Sequence, residues 1–208
     1  MREGEILGIR DLPTKNNLIK LQSSIKQSKN GYKLLEQKKL ILTRELEKYK
    51  DKQKEITKKT YEIFDQAENA LKLANVDIGI DSMINIANNN NKEDNSIDIK
   101  YKTIMGVELP SIISDFQPAL PVYGLYNTTS NVDETIIKFN EAKKYIIELA
   151  EVQNIISRLK QSIEKVQRRS NALKEIIIPR DEAIAKKIEE ILDEATIEEF
   201  SRMKMIKR

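Results

Sequence analysis

The sequence predicts an all-α dominated protein: a long antiparallel two-helix coiled coil with a small central β-hairpin and irregular segment. Three observations carry this. An apolar stripe with alternating steps of three and four residues runs from Leu18 to Ala74, a second runs from Tyr145 to Ile191, and a turn-rich middle separates them. The first passes through Leu18, Leu21, Ile25, Tyr32, Leu35, Leu42, Leu46, Tyr49, Ile56, Ile63, Ala67, Ala70 and Ala74, broken only at Ser28, Lys39, Gln53 and Thr60. A period near 3.5 residues puts these side chains on one seam of a helix, and such a seam needs a supercoiled partner. The second stripe includes Leu149, Val152, Ile156, Leu159, Ile163, Val166, Ser170, Leu173 and Ile177, and continues through Arg180, Ile184, Lys187 and Ile191. The expected organisation is an N-terminal extension over 1–13, a first arm over 14–76, a central segment over 77–131 with a hairpin near 97–109, and a second arm over 132–208.

Composition agrees with a rod rather than a globule. Of 208 residues, 33% are charged and 5% are aromatic, with no Trp and only 6 Gly, a pattern typical of long helices. The chain lacks Cys, so it has no disulfide framework or thiolate metal site. It also lacks His, the commonest general base and metal ligand. No apolar run is long enough to span a bilayer, and the N-terminus lacks the apolar core of a signal peptide. The expectation is a cytoplasmic chain without direct membrane insertion, peripheral to a membrane only through partners.

The net charge of +3 is unevenly spread. Residues 13–60 hold 14 Lys/Arg against 5 Asp/Glu, whereas residues 61–131 hold 4 against 10. A basic first arm fits nucleic acid, anionic lipid or an acidic protein surface, or simply a solvated helix face, and charge alone favours the last.

Each element has a local signal. Thr14 is placed to cap the first helix, expected from about Lys15 to about Asn75 and roughly 90 Å long at 1.5 Å per residue. Gly31 inside it is either a tolerated defect or a place where another backbone comes close. Gly79 and the Asn run within 88–95 break the helical pattern, and the run reads as a loop. Ile97, Ile99 and Tyr101 alternate with polar residues, predicting a strand to Ile104. Met105 and Gly106 form a turn, and Val107 to Leu109 a return strand that Pro110 ends. Pro118 and Pro121 mark an irregular stretch, and Asn131 is the expected cap of the second arm, with Asp133 and Glu134 in its first turn. Pro179 lies inside that arm and is expected to kink it without stopping it. If the arms fold back with Val76 level with Val132, then Lys39 lies level with Arg169 and Gly31 with Ile177. The oddities of both arms then share one band, where the rod would meet something.

Catalytic, cofactor-binding and metal-binding sites are not expected. A phosphate-cradling Gly-Lys-Ser/Thr loop is missing, and Asp77 and Asp81 around Gly79 lack the other ligands of a calcium loop. The paired carboxylates Glu189-Glu190, Asp193-Glu194 and Glu198-Glu199 read as a solvated helix face.

Several segments, in order, resemble the D subunit of the V-type (A/V-type) ATPase. Lys29-Asn30-Gly31-Tyr32-Lys33-Leu34-Leu35-Glu36-Gln37-Lys38 is similar to the family's first-arm motif, and Pro13 to Leu18 to the start of that arm. Met105-Gly106-Val107-Glu108-Leu109-Pro110 is similar to its central hairpin, and Arg168-Arg169-Ser170-Asn171-Ala172-Leu173 with Ile178-Pro179 to its C-terminal arm. Glu198-Glu199-Phe200 to Lys204 fits its basic tail. Ser170 departs from the family's usual apolar residue, Ala195-Thr196 replaces part of a more charged run, and the Asn-rich loop matches no motif.

The resemblance implies a non-catalytic rotor shaft, the central stalk that passes torque between ATP hydrolysis or synthesis in a catalytic head and ion translocation, hydrogen ions included, in a membrane ring. Its implied partners are the A and B subunits of the head, an F subunit on the side of the coiled coil, and the ring-capping subunit (C/d type), with no nucleic acid. Within it, Lys29, Lys33, Lys38, Lys39, Arg168, Arg169, Asn171 and Arg180 are candidate contacts to acidic loops of the head. Arg168 has a second reading as an intrahelical partner of Glu164. Ile97, Ile99, Tyr101, Met105, Gly106 and Val107 form the candidate hairpin contact, and Gly31 and Pro179 give the shaft asymmetry. The competing class is a free-standing tether or a basic nucleic-acid-binding arm.

Overall fold

The computed structural model describes residues 12–89, 97–114, 124 and 128–206. The elements are α1 (Lys15–Ile78), α2 (Ile80–Asn89), β1 (Ile97–Ile104), β2 (Val107–Ser114), α3 (Ser130–Ala172), a π-helical turn (Leu173–Ile177) and α4 (Ile178–Ile206). The Asn run beyond Asn89, Pro118, Pro121 and the extension before Leu12 lie outside the described residues. Two compact units form, one from Leu42–Ser162 and one from the flanking stretches up to Ile41 and from Ile163.

In the Leu42–Ser162 unit, α1 and α3 pair antiparallel. Lys52 meets Glu148 at 3.1 Å, Lys138 donates to Gln66 at 3.1 Å, and the Phe64 and Phe139 rings meet edge to face at 6.3 Å. The apolar stripe is the core: Leu42, Leu46, Ile56, Ala67, Ala70 and Ala74 are buried on α1, and Val132, Val152, Ile156 and Leu159 on α3. Every stripe position from Leu18 to Ala74 is buried or half-buried, including the polar Ser28, Lys39, Gln53 and Thr60.

The end of α1 is set by Gly79, whose φ of +83° turns the chain at no Cβ cost. Asp77 accepts from Thr129 Oγ1 at 3.1 Å and Asn131 Nδ2 at 2.6 Å, tying this end to the start of α3. Asn131 is therefore not the expected cap. The helix already begins at Ser130, the Val132 N–H bonds the Thr129 carbonyl, and the Asn131 amide serves Asp77 instead. The bond from Asn131 to Asp77 keeps Val76 level with Val132, as expected, but Val76 is 84% exposed and points off the seam, which ends at Ala74, whereas Val132 is buried. Helix α2 is a second correction, because Gly79 and the Asn run do not merge into one break. Met83 and Ile86 are three residues apart and form its half-buried side, which is helical spacing.

The hairpin is antiparallel, with Ile104 opposite Val107 and Ile97 opposite Ser114. Met105 (φ 50°) and Gly106 (φ 73°) both take the left-handed region, as a two-residue hairpin turn matched to strand twist requires. The return strand does not end at Pro110 but runs to Ser114. Counting from the turn, Ile104 and Val107 exchange both hydrogen bonds, and alternation makes Tyr101 and Pro110 a non-hydrogen-bonded pair. The missing proline N–H thus costs the ladder nothing.

In the unit that joins the two chain ends, Thr14 caps α1: its Oγ1 accepts the Asn17 N–H at 3.2 Å. Leu21 and Ile25 of α1 form a core cluster with Ala185 and Ile188 of α4, flanked by Leu18, Ile184 and Leu192. The helix continues through Pro179. The turn before it widens, and the Ile178 N–H bonds back to the Leu173 carbonyl, five residues away. This relieves the clash between a proline ring and the carbonyl four residues earlier. A π turn holds one extra residue, so it moves the buried face by one position. Beyond it Asp181, Ala185 and Ile188 are buried. The expected stripe positions Arg180, Lys187 and Ile191 are exposed, and only Ile184 keeps partial cover.

Candidate functional site

The band predicted around Gly31 forms within the unit of the two chain ends. Ser170 is fully buried on α3 and donates to Glu36 Oε1 of α1 at 2.6 Å. About two turns further along α1, Lys29 meets Glu182 at 2.7 Å. These pairs bring Gly31 level with the π turn and Pro179 to within about one helical turn of the expected register. The buried Ser170 hydroxyl is satisfied at this seam position by its carboxylate partner.

The predicted basic residues divide by environment. Lys33, Arg168 and Arg169 are exposed, whereas Lys38 and Lys39 are half-buried beside the seam. Arg168 keeps an intrahelical bond to Glu164 at 2.5 Å, yet its side chain is 77% exposed, so the guanidinium still faces outward. Asn171 is exposed and accepts from Gln167 at 2.6 Å. Arg180 is committed within the chain: its guanidinium donates to Asp181 Oδ1 at 3.0 and 3.2 Å. Asp181 is 5% exposed, and a buried carboxylate without such a partner is strongly destabilising. Among the described residues an ideal Cβ at Gly31 would meet nothing within 4 Å, so none of their backbone explains the glycine.

Two apolar residues of the band escaped sequence reading. Leu34 is 66% exposed and Ile176 is 63% exposed, both beside the cations. The signal was present: each is the surplus apolar residue next to a stripe position, Leu35 or Ile177.

The expected hairpin forms, with Gly106 exposed at its turn, but Val107 is withdrawn from its surface. Ile97, Ile99, Tyr101 and Met105 are exposed, while Val107, Leu109 and Pro110 are buried. Arg158 of α3 holds the hairpin in place. Its Nη1 donates to the Glu108 carbonyl at 3.1 Å, and its guanidinium lies 5.3 Å from the Tyr101 ring centroid. Arg158 lies about 28 residues along α3, or about 42 Å from the start of the helix. The hairpin is therefore folded back along α3 rather than carried at the turn. Arg158 lies between Ile155 and Leu159 and looks like an ordinary exposed helix residue in sequence, so nothing local marks it.

Among the described residues no group of acids could hold a metal ion, and no helix is long and apolar enough to cross a membrane. A family profile described as the D subunit of ATP synthase matches residues 17–208. The chain belongs to the ATP synthase D-subunit family. Among its relatives, a V-type ATP synthase D subunit of Thermotoga neapolitana is 33% identical over 94% of this chain and 96% of its own length. The A-type ATP synthase D subunits of Pyrococcus horikoshii and Pyrococcus furiosus are 38% and 39% identical, each over 98% of this chain and 95% of their own. The family match thus covers the Gly31 band, the hairpin and the π turn alike.

Proposed function

We propose that this chain is the central rotor shaft of a V/A-type ATPase, carrying torque between a catalytic head and an ion-translocating membrane ring. The observation that carries the reading is the family match over 17–208, borne by a chain whose two helical arms pair antiparallel along a polar-interrupted seam. A shaft needs torsional stiffness, and helices paired along a buried stripe supply it. It also needs an asymmetric surface, so that each rotor angle favours a different set of head conformations through differential contacts. The π turn, the open Gly31 face and the one-sided hairpin provide that asymmetry.

In this reading the chain itself is not catalytic. Lys29, Lys33, Lys38, Lys39, Arg168 and Arg169, with Leu34 and Ile176 between them, meet acidic and apolar loops of the A and B subunits. The F subunit binds the side of the coiled coil, and the ring-capping subunit (C/d type) meets the central segment. The chain is held peripheral to the membrane by these partners. The nucleic-acid alternative is not favoured, because lysines of the basic arm outside the candidate contact are matched within the fold: Lys48 to Glu45, Lys52 to Glu148, Lys54 to Asp51 and Lys59 to Glu55.

The test is co-expression with the A, B and F subunits, read by size exclusion and ATPase assay. One copy of the chain in a stable head complex with altered ATPase turnover is the expected result. A chain that elutes alone beside an assembled head would reject the proposal.

A further inference from the structure

We propose that the outer edge of β1 is a docking strand for an extended segment of another protein, one that alternates acidic and apolar residues. The inference rests on the rotor reading above, in which this chain works inside an assembly.

The two edges of the hairpin are not equivalent. With Ile104 and Val107 as the closing hydrogen-bonded pair, the ladder also joins Lys102 to Leu109, Lys100 to Ser111 and Asp98 to Ile113. The remaining residues turn their N–H and C=O groups outward: Ile97, Ile99, Tyr101 and Thr103 on β1, and Glu108, Pro110, Ile112 and Ser114 on β2. The outward edge of β2 is spent. Pro110 has no N–H to offer, and the Glu108 carbonyl already accepts from Arg158. This edge faces α3. The β1 edge lies on the opposite side of the hairpin, and seven of its eight residues are exposed, with Ile104 half-buried. It contains no proline and no bulge. Exposed edges template the pairing of another strand and are usually blunted; here charges alone do so, and Lys100 and Lys102 repel a like edge while leaving an acidic strand free to pair.

The side chains of β1 name the occupant. Lys100 and Lys102 stand two apart on one face of the strand, and Ile97, Ile99 and Tyr101 share the other at 47%, 52% and 56% exposure. An added strand continues both faces, so its residues beside the lysines are acidic and those beside the isoleucines are apolar. Arg158 over the Tyr101 ring ties β1 to α3. A second copy of β1 fits less well. In either antiparallel register of greatest overlap that pairs outward groups, a lysine meets a lysine.

Residue-resolved hydrogen exchange on the full chain, free and assembled with the other ATPase subunits, tests this. The expected result is that the Ile99, Tyr101 and Thr103 amides slow at least about tenfold on assembly, while the outward Glu108 and Ile112 amides do not. Ile99→Pro removes one outward donor at a position that, like Pro110, leaves the ladder intact. It and the double change Lys100→Glu with Lys102→Glu are both expected to abolish the protection at Tyr101 and Thr103. Assembly with unprotected β1 amides would overturn the docking strand and leave the rotor reading standing. A chain that never enters the complex overturns both. Protection already present in a free dimer would assign the edge to a second copy.

Discussion

Gly31 concentrates the question of fold against function at a single residue. In the chain alone it is a defect, because a helix-interior glycine costs about 1 kcal/mol against alanine and its Cβ direction opens onto empty space. Gly31→Ala is therefore expected to raise the unfolding free energy of the isolated chain by about that amount, measured by urea titration. If a partner backbone approaches there, the same variant should assemble less well despite its greater stability; unchanged assembly would leave the glycine as a tolerated defect.

The exposed pair of Glu55 and Lys59 supplies a second residue-scale test. Their 2.7 Å bond lowers the Glu55 pKa from its ordinary 4.5 and raises that of Lys59 from its ordinary 10.5. A depressed carboxylate contributes above its unfolded pKa and is lost as the pH falls through the folded one; a raised lysine contributes below its unfolded pKa and is lost as the pH rises through the folded one. The pair thus stabilises between about pH 4.5 and 10.5 and fades at both extremes. Glu55→Gln should lose a small, salt-screened increment inside that window and nothing below it, by thermal melts at several pH values and at high salt.

At the scale of elements, the π turn is a register device. Its extra residue carries the seam from Ile177 to Asp181, Ala185 and Ile188, so removing one residue there should restore a plain stripe. Deletion of the exposed Ile176, combined with Pro179→Ala, is expected to keep helical content and melting temperature close to those of the parent. Deleting the exposed Glu164, in regular helix, rotates all that follows by about 100° and should lower the midpoint by more than about 5 °C in circular-dichroism melts. Equal losses in both variants would refute the register argument. The hairpin depends on one side chain from another element. Arg158→Ala removes a contact over an aromatic ring of the kind that contributes about 0.5–1 kcal/mol at exposed sites, together with the bond to Glu108. Limited proteolysis should then cut at the hairpin faster while the helix pair stays intact; an unchanged cleavage rate would mean that Val107 and Leu109 hold it alone.

For the whole molecule, charge and function meet at the outward cations of the Gly31 band. Arg168→Glu with Arg169→Glu leaves the seam untouched, since both residues are exposed and the buried Ser170 beside them keeps its bond to Glu36. The isolated double variant should therefore melt within a few degrees of the parent. In the assembled ATPase it is expected to weaken head association or uncouple ATP turnover from ion transport, read by size exclusion and by pumping assay. Parent-like assembly and coupling would confine Arg168 to its intrahelical partner Glu164.

Much of this protein was legible in its sequence because the relevant signals are local. The 3-4 stripe fixes which face of a helix is buried one turn at a time, so Leu18 to Ala74 and Tyr145 to Ile177 came out on the core side, and alternation in Ile97 to Ile104 ended β1 at its observed residues. The motif around Gly31 and the Arg168 to Leu173 run carried the family for the same reason: each needs only its own neighbours in sequence. The tertiary structure alone decided three matters. The seam beyond Pro179 slid by one residue, because a proline ring is accommodated by widening the turn and not by breaking the stripe. Asn131 left its capping role for Asp77 across the helix pair. The hairpin folded back onto Arg158, whose partners lie about 50 residues away in sequence. Periodicity specifies which face is apolar; only packing between distant segments decides the phase of that face and what covers it.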